Sequence, residues 1–191
     1  HIKAGDLSAC AAVEAHIARI EAVNPKINAL VVPLFEQARQ AADAADAAQR
    51  RGEALGPLHG VPITIKDLLL TRGWPTLRGS KLVDRGQAWD VDAPATLALK
   101  AQAPVILGKT TTPEFGWKAI GDSPLTGITR NPWNPAHTPG GSSAGAAVAA
   151  AAGLGALHVG TDGAGSIRIP ASFTGIVGLK PSLGRVPAWP P

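Results

Sequence analysis

Helical and strand-like patterns alternate along this chain, and that alternation restricts the fold more than any other feature. Apolar residues recur with helical spacing in residues 8–23, where Asn24-Pro25 predicts the end of the helix, and an Ala-rich helical pattern fills residues 35–51. β-Branched and apolar runs at residues 61–66 and 105–107 predict strands between the helices. Such alternation predicts an α/β sheet in a single domain over residues 1–191.

The remaining elements follow the same rules. Pro62 restricts its strand to a sheet edge or a strand entry, and residues 121–141 are rich in proline without a period, which predicts a long loop. Further strands are predicted at residues 28–32, 157–161 and 175–180, further helices at residues 93–102 and 143–152, a helix start at residues 112–114, and a tight turn at residues 163–166.

Composition narrows the possible functions. The chain is 45% hydrophobic and 17% charged, so it can build a core and does not resemble a disordered chain. Its one cysteine, Cys10, excludes disulfide and four-cysteine zinc frameworks and predicts a reducing, cytoplasmic setting. The net charge of +4 comes without a basic stripe or interleaved aromatic residues, and no apolar run is long enough for a membrane span. We therefore expect neither a nucleic-acid partner nor a membrane.

Several familiar motifs fail on their context. Residues 141–145 fit the G-x-S-x-G pattern of a hydrolase elbow, but a Pro-rich segment stands where that motif needs a buried strand. Residues 163–168 begin like a dinucleotide fingerprint and lack its third glycine. The five histidines have no metal-ligand spacing. We expect neither a metal nor an organic cofactor.

What remains is a lysine with several hydroxyls. Lys66 ends a buried strand, where a charged amine is costly and its pKa falls. Ser142 and Ser143 begin a helix after a glycine loop, and Ser166 follows small residues whose N–H groups can converge on an anion. Each feature also has a structural explanation, as a surface charge, a turn or a helix cap. From chemistry alone, an acyl-transfer site and a structural role both stay open.

Six segments together resemble the amidase signature family, and the resemblance runs from about residue 7 to residue 189. The matching segments are Gly60–Asp67, Ile106–Gly116, Asn131–Asn134, Gly140–Gly145, Gly160–Ala171 and Gly175–Pro181. The resemblance implies a mixed β-sheet covered by helices. It also implies that a small-molecule amide is hydrolysed at its C–N bond through a covalent acyl-enzyme.

The resemblance further implies a Ser–cis-Ser–Lys triad. By motif position Ser166 is the nucleophile, Ser142 the bridging serine with a cis peptide bond, and Lys66 the base. The 24-residue interval between the first two favours Ser142 over Ser143, whose role stays open. The oxyanion hole falls on the N–H groups of Gly163, Ala164 and Gly165, where Ala164-Gly165 replaces the two glycines that the family usually has.

Family members are roughly twice as long or longer, so we expect residues 1–191 to be the N-terminal portion of a longer chain, with a fold incomplete at its C-terminus. The resemblance leaves two alternatives to a simple amidase. One is an amidotransferase subunit that releases ammonia from glutamine for charged tRNA, and the other is an inactive fragment that serves only as a scaffold. Exposed apolar strands predict self-association of the isolated piece, and a homo-oligomer stays open.

Overall fold

A computed structural model of the chain describes residues 1–53 and 55–188; residues 54 and 189–191, which the predicted domain includes, lie outside this description. Its centre is a four-stranded sheet in the order β1-β3-β2-β6. Strand β2 pairs in parallel with both neighbours, whereas β1 pairs antiparallel with β3, so the sheet is mixed as the resemblance implied. The strands are β1 (Leu30–Pro33), β2 (Pro62–Lys66), β3 (Val105–Thr110) and β6 (Leu157–Val159).

The helices are α1 (Ala9–Ile27), α2 (Phe35–Arg50), α3 (Pro94–Lys100), α4 (Ala144–Ala152) and α5 (Arg168–Thr174). On one face of the sheet, apolar residues of α1, α2 and α4 form a core with Val105 and Leu107 of β3. The other face packs Ile63, Ile65 and Ile106 against α3 and the segment after β2. Both faces of the inner strands are therefore covered.

Two prolines test the predicted element boundaries, with different outcomes. Helix α1 does not stop at Asn24-Pro25 but continues to Ile27, because Pro25 lies in its last turn and Asn28 ends it in a left-handed conformation. Pro62 lies at a strand entry, which is one of the two positions predicted for it, since β2 is an inner strand between β3 and β6. Pro62 is the first residue of that strand, where its missing N–H costs no ladder bond inside the strand.

The second half of the chain corrects three further predictions. The helix start at residues 112–114 is only a short 3₁₀ turn, Glu114–Gly116, and the loop 121–141 contains a hairpin of β4 (Asp122–Ser123) and β5 (Gly127–Ile128). Residues 175–180 form no strand, although Ile176 and Val177 have the right composition. The preceding turn instead leads into α5, which the sequence analysis did not predict.

No helix in the described part of the chain is long and apolar enough to cross a membrane.

Candidate active site

Lys66 lies at the carboxyl end of the central strand β2, with a fully buried side chain. Strands β3 and β6 flank β2 on its two sides, and α4 covers the face of the sheet from which the Lys66 side chain projects. The amine Nζ has three acceptors, all of them hydroxyl groups: Ser142 Oγ at 2.7 Å, Thr161 Oγ1 at 2.8 Å and Ser143 Oγ at 3.0 Å. A lysine held only by neutral groups in a protein interior is poised to lose its proton.

Ser142 and Ser143 lie immediately before α4, an apolar helix that is buried along almost its whole length. The peptide bond between Gly141 and Ser142 is cis, as the resemblance implied. Both serines are almost completely buried, and both hydroxyls reach the Lys66 amine. The geometry therefore brings two of the three predicted catalytic residues, Lys66 and Ser142, into direct hydrogen-bond contact.

The two serine hydroxyls differ in their other partners. Ser143 Oγ donates to the Thr161 carbonyl at 3.0 Å and accepts from the Thr161 N–H at 3.1 Å. Because its single proton is used on that carbonyl, Ser143 can only accept from Lys66. Among residues 1–53 and 55–188, Ser142 Oγ has Lys66 as its one hydrogen-bond partner, so the Ser142 proton is uncommitted.

Sequence reasoning missed Thr161, the third hydroxyl on the Lys66 amine. It follows β6, which pairs in parallel with β2 so that Ile65 lies opposite Val159. Since parallel strands bring their carboxyl ends to one sheet edge, Thr161 comes close to Lys66. The signal was therefore present in the predicted strand 157–161, which ends on this residue.

Burial lowers the pKa of Lys66 from 10.5 to about 7, against the opposing effect of the Asp162 carboxylate. The pKa of Asp162 itself lies well below its usual range, first because of its hydrogen bond to Arg168 and then because of backbone N–H groups. Arg168 Nε donates to Asp162 Oδ2 at 2.9 Å, so this pair binds the turn that carries Ser166 to the start of α5. Above neutral pH the site thus combines a neutral amine with a fixed negative charge nearby.

Ser166 ends a tight turn that Asp162 organises. Gly165 has φ +111°, a backbone conformation that L side chains rarely adopt, and its N–H donates to Asp162 Oδ1 at 2.7 Å. Of the three predicted oxyanion donors, Gly165 is therefore already engaged. Gly163 and Ala164 are exposed, and within the described residues their N–H groups form no protein hydrogen bond.

Ser166 joins the other site residues through its backbone. Its carbonyl accepts the Ser143 N–H at 3.0 Å, which fixes the turn against the start of α4. The half-buried Ser166 hydroxyl makes no hydrogen bond within the described ranges, to Ser142 or to any other group. The structure thus holds the Ser166 backbone against Ser143, without the hydroxyl-to-hydroxyl contact between Ser166 and Ser142 that a relay requires.

Metal chemistry has no candidate among the residues that the structure describes, where no three His, Cys, Asp or Glu side chains cluster. The chemical capacity of the site lies in its buried amine, its hydroxyls and its turn N–H groups.

Known proteins share both the sequence and the fold. A 45% identical relative is the indoleacetamide hydrolase of Bradyrhizobium diazoefficiens, matched over 98% of this chain and 36% of its own length. A subunit of the glutamyl-tRNA(Gln) amidotransferase of Streptomyces coelicolor is 46% identical over 97% of this chain and 37% of its own length. A bacterial aryl acylamidase structure, from the amidase signature family, superposes with TM-score 0.92 and 38% identity over 98% of this chain and 39% of that one.

The chain thus spans less than two fifths of these relatives. The Amidase family model matches residues 11–190, which is nearly all of it. Together with the shared mixed sheet, this match confirms the resemblance: the chain belongs to the amidase signature family.

Proposed function

We propose that the protein carries the catalytic part of an amide hydrolase that uses Lys66, Ser142 and Ser166. The observation that carries the proposal is the Lys66 amine, which is fully buried and whose hydrogen bonds go only to hydroxyls, with Ser142 Oγ at 2.7 Å. Such an amine loses its proton near pH 7 and then has a lone pair to accept another.

The hydrogen bonds also assign a direction to that lone pair. A neutral amine has two N–H groups and one lone pair for its three hydroxyl neighbours. Ser143 must accept one N–H because its own proton goes to the Thr161 carbonyl. With Thr161 Oγ1 accepting the second N–H, the lone pair faces Ser142. We infer that Ser143 and Thr161 orient the base and that Ser142 exchanges protons with it.

The proposed reaction begins when Ser142 gives its proton to Lys66 and takes the Ser166 proton. Ser166 Oγ attacks the amide carbonyl carbon, and the carbonyl oxygen becomes an oxyanion. The relay then returns the proton to the amide nitrogen, the C–N bond breaks and the amine leaves. Water, activated by the same relay, attacks the acyl-enzyme ester and releases the carboxylic acid and free Ser166. The Ser166 hydroxyl must turn towards Ser142 when substrate binds, because catalytic hydrogen bonds often tighten only then.

We propose the exposed N–H groups of Gly163 and Ala164 as the principal oxyanion donors. Gly165 joins them only if its N–H is shared with, or released from, Asp162 Oδ1. Each such donor contributes about 10²-fold or more to turnover in characterised acyl-transfer sites. The Asp162–Arg168 pair holds the turn in the shape that presents these groups.

The relatives suggest the class of substrate. An indoleacetamide hydrolase and an aryl acylamidase both have names that refer to aromatic amides. We therefore propose a small aromatic carboxylic amide as substrate, with neither metal nor organic cofactor. In relatives more than twice as long, the additional chain is available to line an acyl pocket, so assays need the complete gene product as well as residues 1–191.

A serine-directed fluorophosphonate tests the assignment of the nucleophile. We expect one adduct, located on Ser166 by mass spectrometry and absent from Ser166→Ala. Ser172→Ala is the matched control, since Ser172 is an exposed serine of the following helix and should leave labelling unchanged. An adduct on Ser142 or Ser143, or labelling that survives Ser166→Ala, would contradict the proposal.

The amidotransferase alternative is supported by 46% identity to a subunit of a glutamyl-tRNA(Gln) amidotransferase. Both functions use the same acyl-transfer chemistry, so the site geometry favours neither. Ammonia release from glutamine, compared with release from an aromatic primary amide, distinguishes them. Glutamine as the preferred substrate would select the amidotransferase, and the absence of both labelling and turnover would select the scaffold.

The isolated 191-residue chain should self-associate. Phe173, Val177, Leu179 and Leu183 are exposed, with Val177 at 96% and Leu179 at 80%, and strand β6 leaves a sheet edge open within the described residues. Contiguous apolar surface and free strand edges drive association. Static light scattering on residues 1–191 should show particles larger than a monomer, and amide turnover should be far slower than that of the complete gene product.

A further inference from the structure

A second buried lysine lies beside the candidate site and has no part in the proposed reaction. Lys109 of β3 is fully buried, and its Nζ lies 3.3 Å from Oδ1 of the equally buried Asp67. Asp67 follows Lys66 directly in the chain, and adjacent residues of an extended strand point to opposite faces. The contacts agree, because Lys66 meets the serines before α4 whereas Asp67 and Lys109 face the segment after β2.

The pair holds the backbone that leaves Lys66. Lys109 Nζ donates to the carbonyls of Leu69 and Pro75, each at 3.1 Å, and to the hydroxyl of Thr76. Asp67 Oδ1 accepts the N–H of Leu77 at 3.2 Å. The segment from residue 67 to residue 77 is therefore tied to the two charges at both of its ends.

This fixed segment reaches the other side of the site. The carbonyl of Arg78, which follows it, accepts the N–H of Phe115 at 2.7 Å. Beside Phe115, a Cβ atom at Gly116 would lie 2.6 Å from Leu68 Cδ1 and 3.3 Å from Ser142 Oγ. The segment thus contacts Lys66 through the chain and reaches Ser142 through residues 115 and 116.

Stability alone does not explain the pair. Two buried charges are costly to desolvate, and an apolar pair of similar volume is often equally stable or more so. Asp67 Oδ2 is buried and, among the described residues, accepts no hydrogen bond, so the pair is not even fully satisfied. What the charges provide is a rigid geometry: they fix several backbone groups of one irregular segment in a single arrangement.

We propose that Lys109 and Asp67 are a positioning pair that fixes the backbone on either side of the Lys66 amine and the Ser142 hydroxyl. The inference rests on the proposed function of Lys66. The pair then influences the acylation rate although it lies on the opposite face of the sheet and does not contact the reacting atoms. Loss of the pair should lower the maximal rate of acylation and leave substrate affinity unchanged, because the groups that contact the ligand stay in place.

The test measures fluorophosphonate labelling of Ser166 in the complete gene product, resolved into a maximal rate and a half-saturation concentration. The double variant Lys109→Met/Asp67→Leu removes both charges and keeps the site apolar. We expect it to fold and to label about ten- to a hundredfold more slowly, because small misplacements of reacting groups have effects of that size. Its half-saturation concentration should stay unchanged. Labelling at the wild-type rate in the folded double variant would overturn the proposal.

Two controls separate the possible causes. Asp46→Asn weakens another buried carboxylate, which accepts N–H groups at the start of α1, and should lower stability without slowing labelling. Lys66→Met tests the proposed function, which fails if this variant labels at the wild-type rate. If Lys66→Met labels slowly and the double variant labels normally, only the positioning pair is refuted. If the double variant does not fold, Asp67→Asn is tested in the same way. We expect its maximal labelling rate to be severalfold lower, and an unchanged rate would overturn the proposal.

Discussion

The two buried lysines lie on neighbouring parallel strands and differ in what surrounds them. Lys66 hydrogen-bonds to three hydroxyls on the face covered by α4, and burial lowers its pKa to about 7. On the other face, Lys109 has the Asp67 carboxylate at 3.3 Å, and burial lowers the pKa of Lys109 to about 8 against the opposing effect of that charge. The two lysine side chains are equally buried, so the difference between them comes from their partners, which are hydroxyls for Lys66 and a carboxylate for Lys109.

This difference separates a candidate base from a structural charge. A base needs a lone pair near neutral pH and a neighbour with a proton to exchange. Lys66 meets both conditions, because its pKa is lowered to about 7 and Ser142 is its hydrogen-bonded neighbour. A lysine paired with a carboxylate stays protonated in order to satisfy its partner, as Lys109 does for Asp67. Removal of Lys66 should therefore lower the rate with little change in the free energy of unfolding. Removal of Lys109 alone should lower the free energy of unfolding as well as the acylation rate.

The largest expected effect follows removal of the Lys66 amine. Lys66→Met in the complete gene product should lower amide turnover by about 10³-fold or more, because no other base lies within reach of Ser142 among the described residues. Turnover is measured by amine release under saturating substrate. Substitution of His158, which is half-buried in β6 and hydrogen-bonded to Thr64, should leave the rate much higher. The opposite ranking would exclude Lys66 as the base.

Removal of Lys109 should act on stability. Lys109→Met leaves Asp67 as a buried carboxylate without its counter-charge, at a cost of about 3–5 kcal/mol in the free energy of unfolding. Lys66→Met leaves only hydroxyls, so its cost should stay below about 1 kcal/mol. Urea denaturation measures both values. Similar losses in the two variants would mean that the carboxylate does not distinguish the sites.

The two serines on Lys66 provide a finer comparison. Ser142→Ala should slow fluorophosphonate labelling by about 10²-fold, because it removes the proton that passes to Lys66. Ser143→Ala removes one orienting acceptor and should slow labelling by less than about tenfold. The second-order labelling rate constant measures both effects. If Ser143→Ala proved the more damaging change, the lone pair would face Ser143 instead.

Much of the site could be predicted because its residues lie in glycine-rich motifs that a sequence displays directly. Lys66, Ser142 and Ser166 were each identified from their motif position. Thr161 was missed, since its contact with Lys66 depends on the pairing of β6 with β2, which no local pattern specifies. The Lys109–Asp67 pair was invisible for the same reason: a register between parallel strands brings it together.

Errors in the fold have related causes. The strand predicted at residues 175–180 has β-branched composition but no partner among the described strands, and composition without pairing does not make a strand. Helix α5 was not predicted, and it accommodates Pro170 because that residue lies in the first turn, where a missing N–H leaves no bond unmade. Local rules fail where tertiary pairing or the position within a helix decides.

The smallest expected effect is a shift in the midpoint of the pH profile of acylation, and its sign follows from the Lys66 environment. In the proposed reaction the neutral Lys66 amine is the reactive form, and burial lowers the pKa of Lys66 from 10.5 to about 7. The labelling rate should therefore rise about tenfold per pH unit below the midpoint and level off above it. The Asp162 carboxylate opposes that lowering, so Asp162→Asn should move the midpoint to lower pH.

Lys109 sharpens this last test, because it is also a buried lysine with a lowered pKa. It lies on the opposite face of the sheet and exchanges no proton with Ser142, so its titration should not appear in the rate profile. The Lys109→Met/Asp67→Leu double variant should thus keep the wild-type midpoint while its plateau falls. The contrary result is a midpoint that shifts in the Lys109→Met/Asp67→Leu double variant and stays fixed in Asp162→Asn. It would identify Lys109 as the titrating group and reverse the roles of the two faces.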